Sequence, residues 1–183
     1  MSNNSHNRHS IRLEGYDYSS SGMYFITICI QNKLCLFGEV IDNEMILNDS
    51  GNMVMQIYNE LPNKFADIQC HEIIIMPNHL HFIVENVGAD LCVCPMDTNN
   101  DLGEHIGSPL HRIIQWFKTI TTNHYINGVK KLGWKPFYKK IWQRNYYEHI
   151  IRNGKSYNNI TNYIATNPTN WQSDDYYINQ THL

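Results

Sequence analysis

The segment from Ile73 to Glu85 constrains the fold and the chemistry of this 183-residue chain more than any other. It begins with four apolar residues, continues with Pro77 and Asn78, which are typical of a turn, and then alternates apolar with other side chains. This period of two places His79 and His81 side by side on one face of a β-strand. Two imidazoles at this spacing can share a metal ion, and a rigid central strand is a suitable support for such a ligand pair. A solvated histidine pair is the alternative interpretation.

Composition limits the class of protein. The chain is 42% hydrophobic, enough for one domain with a full core, and no apolar run is long enough to span a membrane. Residues 1–14 are predicted to form a flexible arm, because the first ten are polar and lack the apolar region of a secretory signal. We expect a cytoplasmic, nucleoid-associated protein whose five cysteines are reduced. Cys92 and Cys94 are expected to be two loose thiols, with a metal-binding pair as the alternative.

Charge is distributed unevenly along the chain. Residues 112–155 contain ten basic residues and one acid, Glu148, a net charge of +9 against −12 for the rest of the chain. Aromatic residues are interleaved with these cations, and this combination suits single-stranded nucleic acid, which offers phosphates and unstacked bases together. A solvated basic face over core aromatics is the alternative. The predicted nucleic-acid contacts are Lys118, Lys130, Lys131, Lys135, Lys139, Lys140, Trp142, Arg144 and Arg152.

The predicted elements indicate one α+β domain. Strands are expected at 23–31, in a hairpin within 34–47, at 70–76, at 79–85 and near 146–150. Helices are expected from Asn48 or Asp49 to about Lys64, from Ser108-Pro109 past Ile120, and from Ser156 to about Asn167. A long acidic loop at 87–107 and an irregular basic connector at 127–140 separate them. This order predicts a single antiparallel sheet with helices packed on it over residues 15–172, followed by a tail at 173–183.

Tyr163 and Asn167 are four residues apart on the last predicted helix and therefore share one of its faces. An amide oxygen is a suitable ligand for a hard cation such as Mg²⁺ or Mn²⁺. A tyrosine hydroxyl, with a pKa of about 10, becomes a useful nucleophile when a cation or a base stabilises its anion. The chain has twelve tyrosines, and simple packing on a terminal helix is the alternative role for Tyr163.

Several stretches resemble one known family in its order. They are Tyr24-Phe25-Ile26-Thr27-Ile28 with Leu36-Phe37-Gly38, Met76-Pro77-Asn78-His79-Leu80-His81, Ile114-Gln115-Trp116-Phe117-Lys118, the segment from Trp142 to Arg152, and Tyr163-Ile164-Ala165-Thr166-Asn167-Pro168. Together they resemble the IS200-type transposases and their domesticated branch, the REP-associated tyrosine transposases, within the HUH superfamily of single-tyrosine nucleases. The resemblance covers roughly residues 15–171.

The resemblance implies a ferredoxin-like sheet and an enzyme that nicks and rejoins single-stranded DNA. Tyr163 would form a 5′-phosphotyrosine intermediate, and His79 and His81 would hold the divalent metal, Mg²⁺ or Mn²⁺. Asn167 is the implied third ligand. His149 is a rival for that place, with a DNA contact or a structural role as its alternatives. Hairpin-forming repeat sequences are the implied DNA partners. The branch implies a monomer acting in cis, with a homodimer as the alternative.

Two other function classes are compatible with parts of the sequence. The first is a catalytically inactive protein that binds single-stranded or hairpin DNA, which the intact His79, His81 and Tyr163 disfavour. The second is a metal-dependent hydrolase of small phosphoesters. The basic aromatic segment disfavours this hydrolase, because a small substrate needs no stacking platform.

Overall fold

The structure is a computed structural model that describes residues 21–88 and 109–178. The predicted arm at 1–14 and nearly all of the predicted loop at 87–107, with Cys92 and Cys94, lie outside the described residues. So do Ser108 and the end of the predicted tail.

The described residues form six strands, four α-helices and two short 3-10 helices. The strands are β1 (Gly22–Cys29), β2 (Gly38–Ile41), β3 (Glu44–Leu47), β4 (Ile68–Ile75), β5 (His79–Asn86) and β6 (Tyr147–Ile151). The helices are α1 (Asp49–Asn59), α2 (Leu61–Lys64), α3 (Pro109–Leu132) and α4 (Gly154–Thr166). Four strands make an antiparallel sheet in the order β4-β5-β1-β6, and β2 and β3 form a separate hairpin. With the hairpin set aside, the topology is the ferredoxin-like arrangement, which confirms the predicted α+β class.

The alternation of the central strands gives the sheet two different faces. On one face, Tyr24, Ile26 and Ile28 of β1 and the alternate residues of β5 pack with buried side chains of α1 and α3. Among them Phe82 and Phe117 are fully buried, with ring centroids 6.1 Å apart. Burial of this apolar surface is the main favourable term for folding.

The opposite face is partly covered by α4. Phe25, Ile83 and Ile151 of the sheet form a second, smaller cluster with Ile164 of this helix. The helix begins after Asn153, whose side chain accepts a hydrogen bond from the Ser156 amide at 2.9 Å. Asn153 is therefore the N-cap in place of the predicted Ser156. The helix ends at Thr166, shortly before Pro168, although Asn167 keeps helical backbone angles with φ −57° and ψ −44°.

Helix α3 continues further than its apolar pattern predicts. The residues from Asn127 to Leu132, expected in the irregular connector, are helical, and Gly133 follows with a φ of +71°. Gly128 lies inside the helix. A larger residue would not fit at this position, because the Trp134 ring packs where a Cβ would stand. The predicted long helix before β4 is instead divided into α1 and α2, since Pro62 lacks an amide N–H. Although α3 has 24 residues, the described parts of the chain contain no helix long and apolar enough to cross a membrane.

Candidate active site

His79 and His81 lie on the second face of the sheet and are buried. They are 0% and 2% exposed, and their ring centroids are 4.6 Å apart. The antiparallel register sets His79 opposite Cys29 and His81 opposite Thr27 on β1. The sequence prediction that alternation places both imidazoles on one face is confirmed by this arrangement.

The Nδ1 atoms of both rings are held by neighbouring polar side chains. His79 Nδ1 lies 2.9 Å from Asn78 Oδ1, and His81 Nδ1 lies 2.7 Å from Thr27 Oγ1. Asn78 is itself oriented, because its amide nitrogen donates to the carbonyls of Lys33 at 3.2 Å and Tyr176 at 2.8 Å. With Oδ1 as the acceptor, His79 carries its proton on Nδ1 and presents an Nε2 lone pair to the site.

Both imidazoles are neutral at physiological pH. Burial, followed by the proximity of His81 and Lys33, lowers the pKa of His79 to about 2. Burial likewise lowers the pKa of His81 to about 3. Neutral imidazole is the form that binds metal ions, so neither histidine needs to be deprotonated before it can act as a ligand.

Tyr163 is brought to the histidines by α4. Its hydroxyl lies 3.2 Å from His81 Nε2, and its ring packs edge-on against Phe25 with centroids 6.0 Å apart. The side chain is 43% exposed, which leaves it open to a polymeric substrate. Burial and the charge of Asp174 raise the pKa of the hydroxyl above its ordinary 10.0, although a hydrogen bond from Asn167 acts in the opposite direction. The tyrosine is therefore protonated at neutral pH.

Asn167 follows the last turn of α4 and is 1% exposed. Its Oδ1 is a buried acceptor for which no hydrogen-bond partner is found within residues 21–88 and 109–178. The same holds for His79 Nε2. Buried polar atoms are almost always paired in folded proteins, so two unpaired acceptors in one site fit a bound cation. Imidazole nitrogen and amide oxygen are both suitable ligands for a divalent metal ion.

The sequence prediction missed the segment that follows α4. Trp171 packs 6.0 Å from the His79 ring, and Tyr176 packs 4.5 Å from it, measured between centroids. Between them, Asp174 places a carboxylate oxygen within 4.8 Å of ligand atoms of both histidines. This aspartate falls in the predicted tail at 173–183. The tryptophan and tyrosines beside it were the available signal of packing.

The rival ligand His149 and two other tyrosines, Tyr157 and Tyr147, have different surroundings. His149 is exposed on β6 opposite Phe25 and is not part of the His-His-Asp group found among the described residues. Tyr157 donates to the carboxylate of Glu72 at 2.9 Å, which ties the start of α4 to β4. Tyr147 is exposed on β6, opposite Thr27.

Most of the predicted nucleic-acid contacts are exposed. These are Lys130, Lys131, Lys135, Lys139, Lys140, Arg144 and Arg152. Lys139, Lys140 and Arg144 line an open cleft of about 480 Å³ between α3 and the segment before β6, together with Tyr146. This cleft lies at the end of the sheet where β1 meets the start of β5, because Trp142 bridges to Ile30 and Gln143 bonds to the Cys29 carbonyl.

Two of the predicted contacts have structural partners instead. Trp142 is 5% exposed and packs against Phe37 and Phe117, while its Nε1 donates to Thr121 at 2.9 Å. It belongs to the core and is not positioned to stack with a base, which corrects the prediction. Lys118 donates to the carbonyls of Gln143, Arg144 and Asn145 at 3.0, 3.4 and 3.1 Å. Burial lowers its pKa to about 8, and its role in the structure is to hold this loop.

Comparison with known proteins identifies relatives. A scan against protein-family models finds no match. An uncharacterized protein of Haemophilus influenzae is 41% identical over 181 residues, covering 94% of this chain and 94% of that protein. The two proteins belong to one family. A second Haemophilus influenzae protein, with the provisional name REP-associated tyrosine transposase, is 24% identical over 155 residues, covering 83% of this chain and 73% of that protein.

Solved structures give similar neighbours. A REP-associated tyrosine transposase bound to a REP hairpin has a TM-score of 0.47 at 19% identity, covering 86% of this chain and 73% of that one. A provisionally named transposase from Deinococcus radiodurans has a TM-score of 0.45 at 11% identity, covering 84% of this chain and 95% of that one. The resemblance of this chain to REP-associated tyrosine transposases is confirmed by the second of these relatives.

Proposed function

We propose that this protein nicks and rejoins single-stranded DNA in a metal-dependent reaction that passes through a 5′-phosphotyrosine intermediate on Tyr163. The observation that carries the proposal is the contact of 3.2 Å between the Tyr163 hydroxyl and His81 Nε2, beside the unpaired Nε2 of His79. A nucleophile next to a pair of buried, neutral imidazoles is the arrangement that metal-assisted phosphoryl transfer needs.

His79, His81 and Asn167 would hold the cation, Mg²⁺ or Mn²⁺. When bound, this ion supplies Lewis-acid polarisation of the scissile phosphate and stabilises negative charge on the oxygens around it. Asn78 and Thr27 keep the two rings oriented through their Nδ1 atoms. Such outer partners fix the direction of each lone pair, so that little reorganisation is needed at the site.

Tyr163 would attack the phosphorus of a phosphodiester. A bond forms between its oxygen and phosphorus, and the bond from phosphorus to the 3′ oxygen breaks. The tyrosine loses its proton and the departing 3′ oxygen gains one, which leaves a 3′-OH. Attack by a 3′-OH on the phosphotyrosine reverses these changes and rejoins DNA. Because the phosphotyrosine keeps the energy of the broken linkage, rejoining needs no further energy source.

The exposed lysines and arginines beside the cleft would bind the phosphates of the strand and of a hairpin within it. Phosphate contacts position a nucleic acid without selecting sequence. Tyr138 is 71% exposed, with Lys139 Nζ 5.0 Å from its ring centroid, so an aromatic ring and a cation are available together. We propose hairpin-forming repeats as the partners, and the DNA of the nucleoid as the place of action.

Covalent capture tests this function. The protein is incubated with Mn²⁺ and a pool of single strands that carry a hairpin beside randomised bases. A strand labelled at its 3′ end should give an SDS-resistant labelled adduct, while a strand labelled at its 5′ end should give a shorter free fragment. Chelation, His79→Ala/His81→Ala and Tyr163→Phe should each abolish the adduct, and Tyr147→Phe should retain it. Strand binding without any adduct would instead support an inactive DNA-binding protein.

A single chain would suffice for this chemistry. The hydroxyl of Tyr163 and the ring of His81 that it contacts come from the same copy, and the Tyr157–Glu72 hydrogen bond holds α4 in place. Mixing the His79→Ala/His81→Ala variant with Tyr163→Phe should therefore restore no adduct. Restored adduct would show that two copies exchange α4 and would overturn the proposed monomer.

A further inference from the structure

We infer that Asp174 is an anionic ligand of the divalent cation, so that the turn after α4 is part of the metal centre. The inference rests on the proposed function, because it assigns a further ligand to the same ion. Nothing in the sequence pattern identifies this residue. It lies 95 positions after His79 in the chain, and the fold brings it to the histidines.

The position of the carboxylate is the first argument. One carboxylate oxygen of Asp174 and one nitrogen from each of His79 and His81 lie within 4.8 Å of one another. The aspartate is half-buried, and His79 Nε2 is fully buried without a hydrogen-bond partner in the described part of the chain. Two nitrogens and a carboxylate oxygen at these separations can converge on one ion placed between them.

The segment that carries Asp174 is fixed on both sides of it. Trp171 is 8% exposed against the His79 ring. Beyond the aspartate, the Tyr176 carbonyl accepts from Asn78 at 2.8 Å, and Lys33 donates to the Asp175 carbonyl at 2.7 Å. Asn78 therefore positions the His79 ring with one end of its amide and the Asp174 turn with the other.

The direction of the carboxylate is also fixed. Its Oδ1 accepts a hydrogen bond from the Tyr176 amide at 2.6 Å, and lone pairs remain on both oxygens. Since both imidazoles are neutral, the aspartate brings the one negative charge of the His-His-Asp group. A hard cation such as Mn²⁺ prefers an anionic oxygen to a neutral amide oxygen. Asp174 would supply this charge, and Asn167 would add a neutral oxygen.

Mn²⁺ binding to the full-length protein, measured by electron paramagnetic resonance and by calorimetry without DNA, tests the inference. Asp174→Asn should weaken Mn²⁺ binding by at least the 10- to 100-fold that is typical for loss of an outer-shell partner. Asp175→Asn, the matched control, removes an equal charge from the next residue and should bind as the parent does. Mn²⁺ should also raise the melting temperature of the parent and of Asp175→Asn, and raise that of Asp174→Asn much less.

Each outcome of this comparison is decisive. Parent-like Mn²⁺ affinity in Asp174→Asn would overturn the ligand assignment and leave the histidine site in place. Equal weakening in both variants would also overturn it, because the effect would then be long-range charge. A parent protein that binds no Mn²⁺ would overturn the proposed metal site itself, and with it the assignment. Melting curves without metal test whether Asp174→Asn is folded. If it is not, Asp174→Glu is used in its place. We then expect a changed Mn²⁺ spectrum, and an unchanged spectrum would overturn the assignment.

Discussion

The two faces of β1 and β5 are made from alternate residues of the same strands, yet they differ in what they bury. The face against α1 and α3 is apolar and close-packed, as at Phe82 and Phe117. The face against α4 buries two histidines and leaves His79 Nε2 without a partner among the described residues. A buried acceptor without a partner costs stability, so we attribute its retention to binding.

The apolar face should contribute most of the stability. Phe82→Ala removes a fully buried ring and should lower the free energy of unfolding by about 3–5 kcal/mol, measured by urea denaturation. His81→Gln on the other face keeps a polar group for Thr27 and should cost less, while Mn²⁺ binding is lost. A larger stability loss in His81→Gln than in Phe82→Ala would contradict this division of roles.

The buried histidines should make stability depend on pH. Their pKa values in the folded protein are lowered to about 2 and about 3, whereas the unfolded chain binds protons near pH 6.5. Their contribution is therefore complete above pH 6.5 and falls with pH below it, because only the unfolded state gains the protons. The loss can reach about 1.4 kcal/mol per pH unit for each histidine. In urea titrations from pH 7 to 5, His79→Gln/His81→Gln should show a shallower decline than the parent, and an equal decline would refute the burial argument.

Asn78 should affect metal binding at the sheet face that carries the histidines. Asn78→Ala removes the groups that orient His79 and the Tyr176 carbonyl, and we expect Mn²⁺ affinity to fall by about 10- to 100-fold. Calorimetric titration measures this, and Asn52→Ala, at an exposed asparagine of α1, serves as the control. Unchanged Mn²⁺ affinity in Asn78→Ala would mean that the ring is held by packing alone.

The smallest expected effect concerns the exposed cations beside the cleft. Each lost phosphate contact should reduce the salt slope of single-strand binding by about 0.7, so Lys139→Ala/Lys140→Ala should reduce it by about 1.4 and weaken binding. Fluorescence anisotropy at several salt concentrations gives the slope. Lys64→Ala, in α2 and outside the lining of the cleft, is the control. If the double variant matches the parent in affinity and slope, these lysines are a solvated face.

Local patterns predicted one part of the site and could not predict another. His79 with His81, and Tyr163 with Asn167, are pairs within one element, where a period of two or of 3.6 sets the shared face. Asp174 reaches the histidines through the turn after α4, and no short-range period encodes such a contact. Trp142 was misassigned for the same reason. Its sequence neighbours are basic, but a bridge to Ile30 carries its ring into the core.

The boundary of α3 illustrates a further limit. Gly128 was expected in a connector because glycine has low helix propensity. In the fold, its missing side chain makes room for the Trp134 ring, which also packs against Tyr125 with centroids 5.3 Å apart. A tertiary contact therefore decides the local structure.

Mass spectrometry of the trapped adduct tests the central claim most directly. After reaction with the single-strand pool and Mn²⁺, nuclease and protease digestion leaves a peptide that carries the attached nucleotide. We predict a 5′-linked nucleotide on Tyr163, whose hydroxyl is 3.2 Å from His81 Nε2. A nucleotide on Tyr146, Tyr147, Tyr157 or Tyr176 would contradict the account of this active site.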